Sequence, residues 1–389
     1  MYELLFLLLP VAVAYGWFMG RNSIKQKKQH AKDALTIKYS TGLNYLLSNQ
    51  HDKAIEYLLE ALEVEDDTVE AHFAMANLFR KRGELDRALK VHEYLVRQPM
   101  LSDKEKQQAV FELGRDFHTA GLYDRAEKMF LKLLKTPTYG NKSLNYLLQI
   151  YQSTKDWDKG IGLKKAVLKT ADKRLMHVLA NFYCELAALA MAKEEYIKEL
   201  ELLQMALELD PNSSRANLLM AQVYENSEQY NEACQCYKEI FYQDKEFFPD
   251  VIDKMQACFA KSDHQEEFYP FIKQVYDKTG STTALIKYLE FVSEQESPQK
   301  AEEFILSALN RRPTIRGFKH FVKMQLAQNN NDASKQSLDV IKELVAAYLK
   351  IRPRYRCRNC GFNSTVHYWS CPSCHDWEQL KPVRGLEGE

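Results

Sequence analysis

Four cysteines near the C-terminus are the residues whose type and spacing most clearly indicate chemistry. Residues 351–377 read IRPRYRCRNCGFNSTVHYWSCPSCHDW, and two Cys-x-x-Cys turns in this segment are separated by ten residues. The four cysteines are Cys357, Cys360, Cys371 and Cys374. Each turn can place two thiolates on one side of a metal ion, and two turns complete a tetrahedral sulfur site. Because so short a segment buries little apolar surface, we expect metal binding to supply much of its folding free energy.

Residues around the two turns resemble rubredoxin-type knuckles. Gly361 follows the first turn and Pro372 lies within the second. His375, however, stands where a glycine is expected after the second turn, and the gap between the turns is shorter than in electron-carrier rubredoxins. These departures favour a structural site over a redox carrier. The ligand set alone permits either zinc or iron, and four cysteines leave His367 and His375 outside the predicted coordination sphere.

Aromatic and basic residues surround the predicted metal site. We expect aromatic packing around the knuckles from Phe362, Tyr368, Trp369 and Trp377. Arginines alternate before and inside the first turn, at positions 352, 354, 356 and 358. A zinc ribbon with such a flank could contact nucleic acid. The chain has 53 Lys and Arg against 53 Asp and Glu, and therefore lacks the overall basic excess that meets phosphates. We therefore favour a basic edge that faces solvent or a protein interface.

The other four cysteines do not form a second metal motif. We expect Cys184 and Cys258 to pack as small hydrophobic residues. Cys234 and Cys236 are two positions apart, so on a helix their side chains point to different faces and do not easily share an ion. Such sparse cysteines in 389 residues are typical of a reducing compartment and not of a secreted disulfide scaffold.

A repeated pattern of small and aromatic residues precedes the metal segment. In the clearest unit, Ala76 and Phe79 are followed by Ala88 and Leu95. The same theme recurs in other units, at Gly114, Phe117, Ala126 and Phe130, at Ala221, Tyr224, Ala233 and Tyr237, and at Ala301, Ala308 and Pro313. Small residues allow two helices to cross closely, aromatic residues fill the gap to the next unit, and proline ends the second helix.

This pattern resembles the tetratricopeptide-repeat family over about residues 35–345. One helix pair cannot bury its own apolar face, so neighbouring pairs must stack into a solenoid. In this family the concave face usually binds peptides or partner domains. Two units depart from the pattern, around residues 148–167 and 255–275, because Gly160 and Glu267 stand where alanine is expected. We expect both units to be distorted.

An uncharged segment at the N-terminus predicts a membrane anchor. Leu4 to Gly20 contains no charged residue, and its 17 residues are at the short end of what crosses a hydrocarbon core. Arg21 and four lysines follow before Asp33, so the positive-inside rule places the rest of the chain in the cytoplasm. A cleaved signal peptide would need basic residues before the apolar run, where Glu3 is the only charge.

These features together predict an all-α protein. The predicted parts are a transmembrane anchor at 1–20, a basic juxtamembrane segment at 21–34, a right-handed tetratricopeptide-repeat solenoid at 35–350 and a rubredoxin-like metal domain at 351–389. No nucleotide-binding loop or nucleophile elbow occurs in the sequence. His92-Glu93 begins like a zinc-protease helix, but Val96 stands where the second histidine is required. The sequence therefore favours a binding adaptor with no catalytic residues over an enzyme.

Both ends of the chain resemble the lipopolysaccharide assembly protein B family of Gram-negative bacteria. The likeness is carried by the opening MYELLFLLLPVAVAYGWFMGR and by the closing RPRYRCRNCGF and YWSCPSCHDW, and it covers essentially the whole chain. The resemblance implies a single-pass inner-membrane protein with its C-terminal bulk in the cytoplasm. It also implies that the metal is iron, although the four cysteine ligands alone allow zinc as well.

The same resemblance implies a regulator of lipopolysaccharide synthesis. Members of the family promote degradation of the UDP-acyl-N-acetylglucosamine deacetylase LpxC by the membrane protease FtsH. Implied partners are LpxC, FtsH and other lipopolysaccharide synthesis and transport proteins, with no nucleic acid and no small-molecule substrate. Two alternative functions stay open from the residues: a redox- or metal-sensing protein that uses the four-cysteine site, and a zinc-ribbon nucleic-acid-binding protein.

Overall fold

A computed structural model describes residues 69–328 and 332–389, together with scattered positions between residues 15 and 53. In these parts of the chain no helix combines the length and the apolar character needed to cross a membrane. The predicted anchor at 1–20 lies mostly outside them, since only its residues 15–20 are described.

Helices make up residues 69–351 where the chain is described. They are α1 (Val69–Lys81), α2 (Leu85–Arg97), α3 (Asp103–Thr119), α4 (Tyr123–Leu133), α5 (Gly140–Thr154), α6 (Trp157–Ile161), α7 (Lys164–Thr170), α8 (Lys173–Met191), α9 (Tyr196–Leu209), α10 (Ser214–Asn226), α11 (Tyr230–Gln243), α12 (Ile252–Phe259), α13 (Phe268–Thr279), α14 (Thr282–Gln295), α15 (Pro298–Arg311), α16 (Ile315–Gln328) and α17 (Asp332–Ile351). Short 3₁₀ turns cover Phe248–Asp250 and Gln265–Glu267. The order and lengths are those of a helical-repeat array, as the sequence predicts.

The chain divides into two units, residues 1–150 and 151–389. The described residues of each unit contain antiparallel helix pairs with small residues at the crossing. In the first unit Ala76 and Ala88 are fully buried where α1 crosses α2, and in the second Ala221 and Ala233 are fully buried where α10 crosses α11. A side chain larger than alanine would separate the helices at these crossings.

The turn inside a helix pair repeatedly requires a left-handed residue. Gly83 and Gly121 supply it after α1 and α3, where φ is +80° and +73°. The corresponding turns after α5, α8 and α10 use Lys155, Glu194 and Glu228, with φ near +60°. Because only glycine adopts this conformation without a steric cost, the last three turns carry some backbone strain.

Both units that depart from the repeat pattern are distorted, which confirms that expectation. Around residue 160 the second helix of the pair is broken into α6 and α7, of five and seven residues. A Cβ on Gly160 would lie 2.3 Å from the Phe182 ring of α8. The glycine therefore replaces the expected alanine because a phenyl ring occupies the space of the methyl group. In the irregular repeat around residues 255–275, α12 has only eight residues and is preceded and followed by 3₁₀ turns.

Residues 355–382 form a small antiparallel sheet, so the chain is not helical throughout. Its strands are β1 (Tyr355–Cys357), β2 (Asn363–Ser364) and β3 (Leu380–Pro382), in the order β2-β1-β3. The core of this domain contains Tyr355, Cys357, Cys371 and Leu380, with Phe362 packed against them. Two of the four predicted metal ligands are therefore part of the core itself.

Gly160→Ala should destabilise the second unit by about 1 to 3 kcal/mol, because the added methyl group overlaps the Phe182 ring. Phe182→Leu in the Gly160→Ala background should recover part of that loss, because the smaller side chain can retreat. Chemical denaturation of the two single variants and the double variant measures the coupling. Strictly additive losses would show that this contact does not explain the glycine.

Candidate metal centre and its contacts with the helical array

The four predicted ligand sulfurs converge on one point. Cys357 and Cys360 come from the end of β1 and the turn after it, and Cys371 and Cys374 come from the second turn. Their Sγ atoms all lie within 4.8 Å of one another. The sulfurs of Cys357 and Cys374 are 3.7 Å apart, and so are those of Cys360 and Cys371.

These distances fit a tetrahedral metal ion. With metal–sulfur bonds of about 2.3 Å, the sulfurs of a regular tetrahedron are about 3.8 Å apart. The four cysteines are therefore positioned to bind one ion. Zinc and iron both accept four thiolates, so the donor set leaves the identity of the metal open.

A backbone hydrogen bond closes each of the two turns. The amide N–H of Gly361 donates to the Cys357 carbonyl, and that of His375 donates to the Cys371 carbonyl. Both residues are left-handed, with φ of +77° and +60°, so His375 occupies a position that favours glycine. At the first turn a backbone hydrogen bond from Phe362 lowers the pKa of exposed Cys360 to about 6, which favours the thiolate form that binds metal.

Two of the aromatic residues assigned to the knuckles pack elsewhere. Phe362 does lie beside the ligands, but Trp377 packs against Trp157 and Phe182 of the helical array, at ring distances of 6.2 and 6.4 Å. Trp369 packs against Phe247, at 5.0 Å. The metal domain thus turns its tryptophans toward the array, and the predicted packing around the knuckles was wrong for these two residues.

The contact with the array is centred on the buried carboxylate of Glu378. Its side chain is 7% exposed. One oxygen accepts hydrogen bonds from Asn181 Nδ2 at 3.1 Å and Ser213 Oγ at 3.3 Å, and the other accepts one from Ser214 Oγ at 3.1 Å. Buried charges are costly unless they are hydrogen-bonded, and these three groups come from α8 and from the start of α10. Helices α8 and α10 of the array therefore form a polar binding site for the Glu378 side chain.

His177 of α8 adds a titratable group to this site. Its Nε2 atom lies 4.0 Å from Glu378, and its Nδ1 atom lies 2.6 Å from Asp210. Burial disfavours the charged imidazole, but the hydrogen bond to Asp210 and the charge of Glu378 outweigh it and raise the pKa of His177. This histidine therefore stabilises the fold most strongly below its unfolded pKa, and the contribution is lost as pH rises through the raised folded value.

Arg215 lies between the two tryptophans of the metal domain. Its guanidinium carbon is 5.5 Å from the Trp369 ring and 5.3 Å from the Trp377 ring. The same guanidinium donates to Glu185 at 2.7 Å and to Asn181 at 3.2 Å. A buried arginine held in this way combines cation–π attraction with a paired charge.

Residues 244–250 of the array bring acidic groups to the basic edge of the metal domain. Arg354 pairs with Asp250 at 2.6 Å, and Arg358 pairs with Glu246 at 2.9 Å. Lys381 pairs with Asp244. Because Arg352 also pairs with Glu387, three of the four alternating arginines are engaged in ion pairs within the protein. This arrangement confirms an interface-facing edge and gives no support to a nucleic-acid surface.

The acidic loop also packs an aromatic ring against two side chains of the metal domain, which contact each other at 4.7 Å. Phe247 lies 5.0 Å from both the His367 and the Trp369 rings. Burial lowers the pKa of His367 to about 4, so this histidine packs as a neutral aromatic residue. It is not among the four residues whose ligand atoms converge. Sequence reasoning missed residues 244–250, although their acidic and aromatic content is unusual for a turn between repeats.

The segment after β3 extends the contact to the last helices. The amide N–H of Ile315 donates to the Leu386 carbonyl. The Glu389 side chain accepts hydrogen bonds from Ser281, Thr283 and Arg316 at the starts of α14 and α16. Residues 354–389 therefore contact array positions from Gln152 to Arg316.

The remaining cysteines lie in the helices, and two of them are closer than the sequence suggests. Cys184 is fully buried, and burial raises the pKa of its thiol to about 12, as expected for a packing residue. The Cys234 and Cys258 sulfurs lie 3.2 Å apart between α11 and α12, a contact that sequence spacing does not reveal. Cys236 is buried on another face of α11 and is not part of that pair.

Loss of any one ligand should empty the whole metal site. Cys357→Ser and Cys374→Ser should each reduce the bound metal from about one ion per chain to almost none, and the double variant should be no worse. The matched control is Cys236→Ser, which changes a cysteine of α11 outside the site. Metal analysis of the purified proteins measures the ratio, and stoichiometric metal in either ligand variant would refute the assignment.

Glu378→Ala should weaken the contact between the metal domain and the array without removing the metal. The change removes the shared acceptor of three buried donors, of which Asn181 keeps the His177 carbonyl. We therefore expect a loss of about 2 to 4 kcal/mol in the free energy of unfolding. The metal should remain bound because its ligands are unchanged. The matched control Glu201→Ala, at an exposed site on α9, should stay within about 0.5 kcal/mol of the parent protein. Equal stability of the two variants in chemical denaturation would show that the Glu378 contact contributes little.

Comparison with known proteins agrees with both parts of the structure. A family described as "Rubredoxin metal binding domain" matches residues 355–382. Tetratricopeptide-repeat families match residues 36–68, 71–99 and 202–235. A solved tetratricopeptide repeat protein from Parabacteroides merdae covers 72% of this chain and 100% of its own, at 12% identity and a TM-score of 0.34.

Curated relatives match over the full length of the chain. Lipopolysaccharide assembly protein B from Escherichia coli strain K12 is 37% identical over 388 residues, which is 100% of both chains. The protein of the same name from Haemophilus influenzae is 32% identical over 395 residues, again 100% of both chains. The chain therefore belongs to the lipopolysaccharide assembly protein B family.

Proposed function

We propose that this protein is a membrane-tethered cytoplasmic adaptor that limits lipopolysaccharide synthesis. In this role it presents the deacetylase LpxC to the membrane protease FtsH and performs no chemistry itself. The observation that carries the proposal is full-length identity of 37% to a relative named for lipopolysaccharide assembly. The helical-repeat array supports it because such arrays offer extended surfaces for other proteins.

The metal domain has a structural part in this proposal. Its four thiols can bind one ion, and the domain contacts array residues from Gln152 to Arg316. A bound metal would order the domain, and the ordered domain would fix the relative positions of the helix pairs that it touches. Loss of the metal would then change a binding surface instead of stopping a reaction.

The docked domain also limits where partners can bind on the second unit. Asn181, Ser214 and Arg215 lie in α8 and α10 and already contact the metal domain. Substituting them would release the chain's own domain, so a loss of activity there would not identify a partner contact. Partner-binding residues should be sought on array surfaces that the metal domain leaves uncovered.

The membrane tether completes the proposal. An apolar segment at 4–20 followed by basic residues fits an inner-membrane anchor with the array in the cytoplasm. Tethering confines the array to a thin layer beside the membrane and raises its effective concentration for membrane-bound partners.

Metal or redox sensing is the second candidate function. Cys360 is exposed, so one ligand of the site is open to solvent. A visible absorption band that disappears on reduction would favour a redox-active iron site. A site that contains zinc and shows no such band would favour the structural role.

Deletion of the gene should lengthen the half-life of LpxC in cells, and excess lipopolysaccharide should follow. The full chain should restore rapid turnover, while Cys374→Ser and a variant lacking residues 1–20 should restore it poorly. Cys236→Ser is the matched control and should restore it fully. Pulse-chase measurement of LpxC tests this, and an unchanged half-life in the deletion strain would rule out the proposed role.

A further inference from the structure

A cavity of about 280 Å³ lies between α14, α16 and α17 and is lined mainly by cations. The basic lining residues are Arg316, Lys319, His320, Lys323 and Lys342. Ile286 and Leu349 form an apolar wall, and no carboxylate is among the described residues that line the cavity. Among these basic residues, Arg316 takes part in the contact with Glu389 described above, and the metal centre and its contacts do not account for the others.

The charge is a property of one short part of the sequence. Residues 304–331 contain five Arg and Lys residues and no Asp or Glu, although the whole chain has 53 of each charge type. Four of the cavity's basic residues lie on α16 within this stretch. A local basic excess of this kind creates a positive potential that attracts anions.

Part of this positive charge is already neutralised. Arg316 pairs with Glu389, and Lys342 pairs with Asp339 at 3.0 Å. Lys319 and Lys323 are one helical turn apart, and no ion pair is found for either in the described part of the chain. Like charges at this spacing repel each other, so a counter-anion between them would relieve a destabilising contact.

His320 lies between these two lysines on α16. Burial, together with the positive charge of Lys323, lowers the pKa of His320. The pocket therefore has a positive potential even where its histidine is neutral, and an anion that entered would encounter two ammonium groups and one imidazole.

The neighbouring Glu389 site shows how this protein holds a carboxylate. There a single guanidinium is supplemented by the hydroxyls of Ser281 and Thr283 and by a backbone N–H of Thr283. The basic cavity has several cations and no hydroxyl side chain in its described lining. Its composition is suited to a group of higher charge than a carboxylate, and a phosphate monoester carries about −1.5 to −2 at neutral pH.

We propose that the cavity formed by Arg316, Lys319, His320, Lys323 and Lys342 is a binding site for a phosphate monoester. The lysines act as point charges on the phosphoryl oxygens. Because the cavity is larger than one phosphate group, Ile286 and Leu349 are placed to contact the organic part of the ligand. The phosphate could belong to a small soluble molecule or to a lipid headgroup, and the two sources share the same recognition chemistry.

Isothermal titration calorimetry on the full chain in detergent tests the proposal. The two probes are glycerol 3-phosphate, as a soluble monoester, and dihexanoyl phosphatidic acid, as a short-chain lipid. At least one should bind the parent protein, and the double variant Lys319→Gln/Lys323→Gln should weaken that binding at least about tenfold. The matched control is Lys254→Gln, which removes an exposed lysine of α12 outside the cavity and should leave binding unchanged.

Comparison of the two probes assigns the source of the phosphate. Tighter binding of the phosphatidic acid supports a lipid headgroup, and equal or tighter binding of glycerol 3-phosphate supports a soluble ligand. The proposal is overturned if neither probe binds, or if the double variant binds both as well as the parent protein does. It is also overturned if a hexaglutamate peptide binds more tightly than both probes, because the cavity would then recognise an acidic protein segment.

Discussion

The carboxylate of Glu378 accepts hydrogen bonds from donors that lie up to 197 positions earlier in the chain. A charge that is 7% exposed is tolerated only because Asn181, Ser213 and Ser214 satisfy it. Those three donors belong to two consecutive helix pairs, so their spacing is correct only when the pairs are stacked as in the native array. The metal domain and the array therefore depend on each other through this contact.

We expect a bound metal to act on this dependence through the core of the small domain. Cys357 and Cys371 are part of the domain's buried core, together with Tyr355 and Leu380. Without an ion, the four sulfurs have little reason to stay together, and the short sheet between them has few other contacts. The strand that ends at Pro382 and the turn that carries Glu378 would then lose their fixed positions. We therefore expect metal binding to stabilise helix pairs that supply none of the four ligands.

This dependence also gives a physical reason for irregular repeats in the second unit. Phe182 fills the space where the unit at 148–167 would carry an alanine methyl group, and it also contacts Trp377 of the metal domain. The loop at 244–250 departs from a plain repeat turn and supplies Asp244, Phe247 and Asp250 to the same interface. The deviations are therefore located where the array must accommodate the docked domain.

Sequence patterns predict local features of this protein well. The helix pairs, the two distorted units and the converging cysteines all follow from spacing along the chain, because their determinants are close in sequence. The residues through which the metal domain contacts the array could not be predicted. These contacts depend on pairs such as Gln152 with Ser370, which are 218 positions apart. Trp369 and Trp377 illustrate the problem, because an aromatic residue beside a cysteine is equally compatible with packing on the knuckle and with packing on another domain. The close approach of Cys234 and Cys258 is likewise a product of stacking between units.

Amide hydrogen exchange, measured by mass spectrometry on the parent protein and on Cys357→Ser, tests the coupling of metal to array most directly. If the metal domain stabilises the array, the variant should lose protection in its own residues 355–382 and also in α8 and the start of α10, around residues 177–185 and 213–217. Protection in α3 and α4 of the first unit should change little. Unchanged protection of α8 and α10 in the metal-free variant would contradict the account.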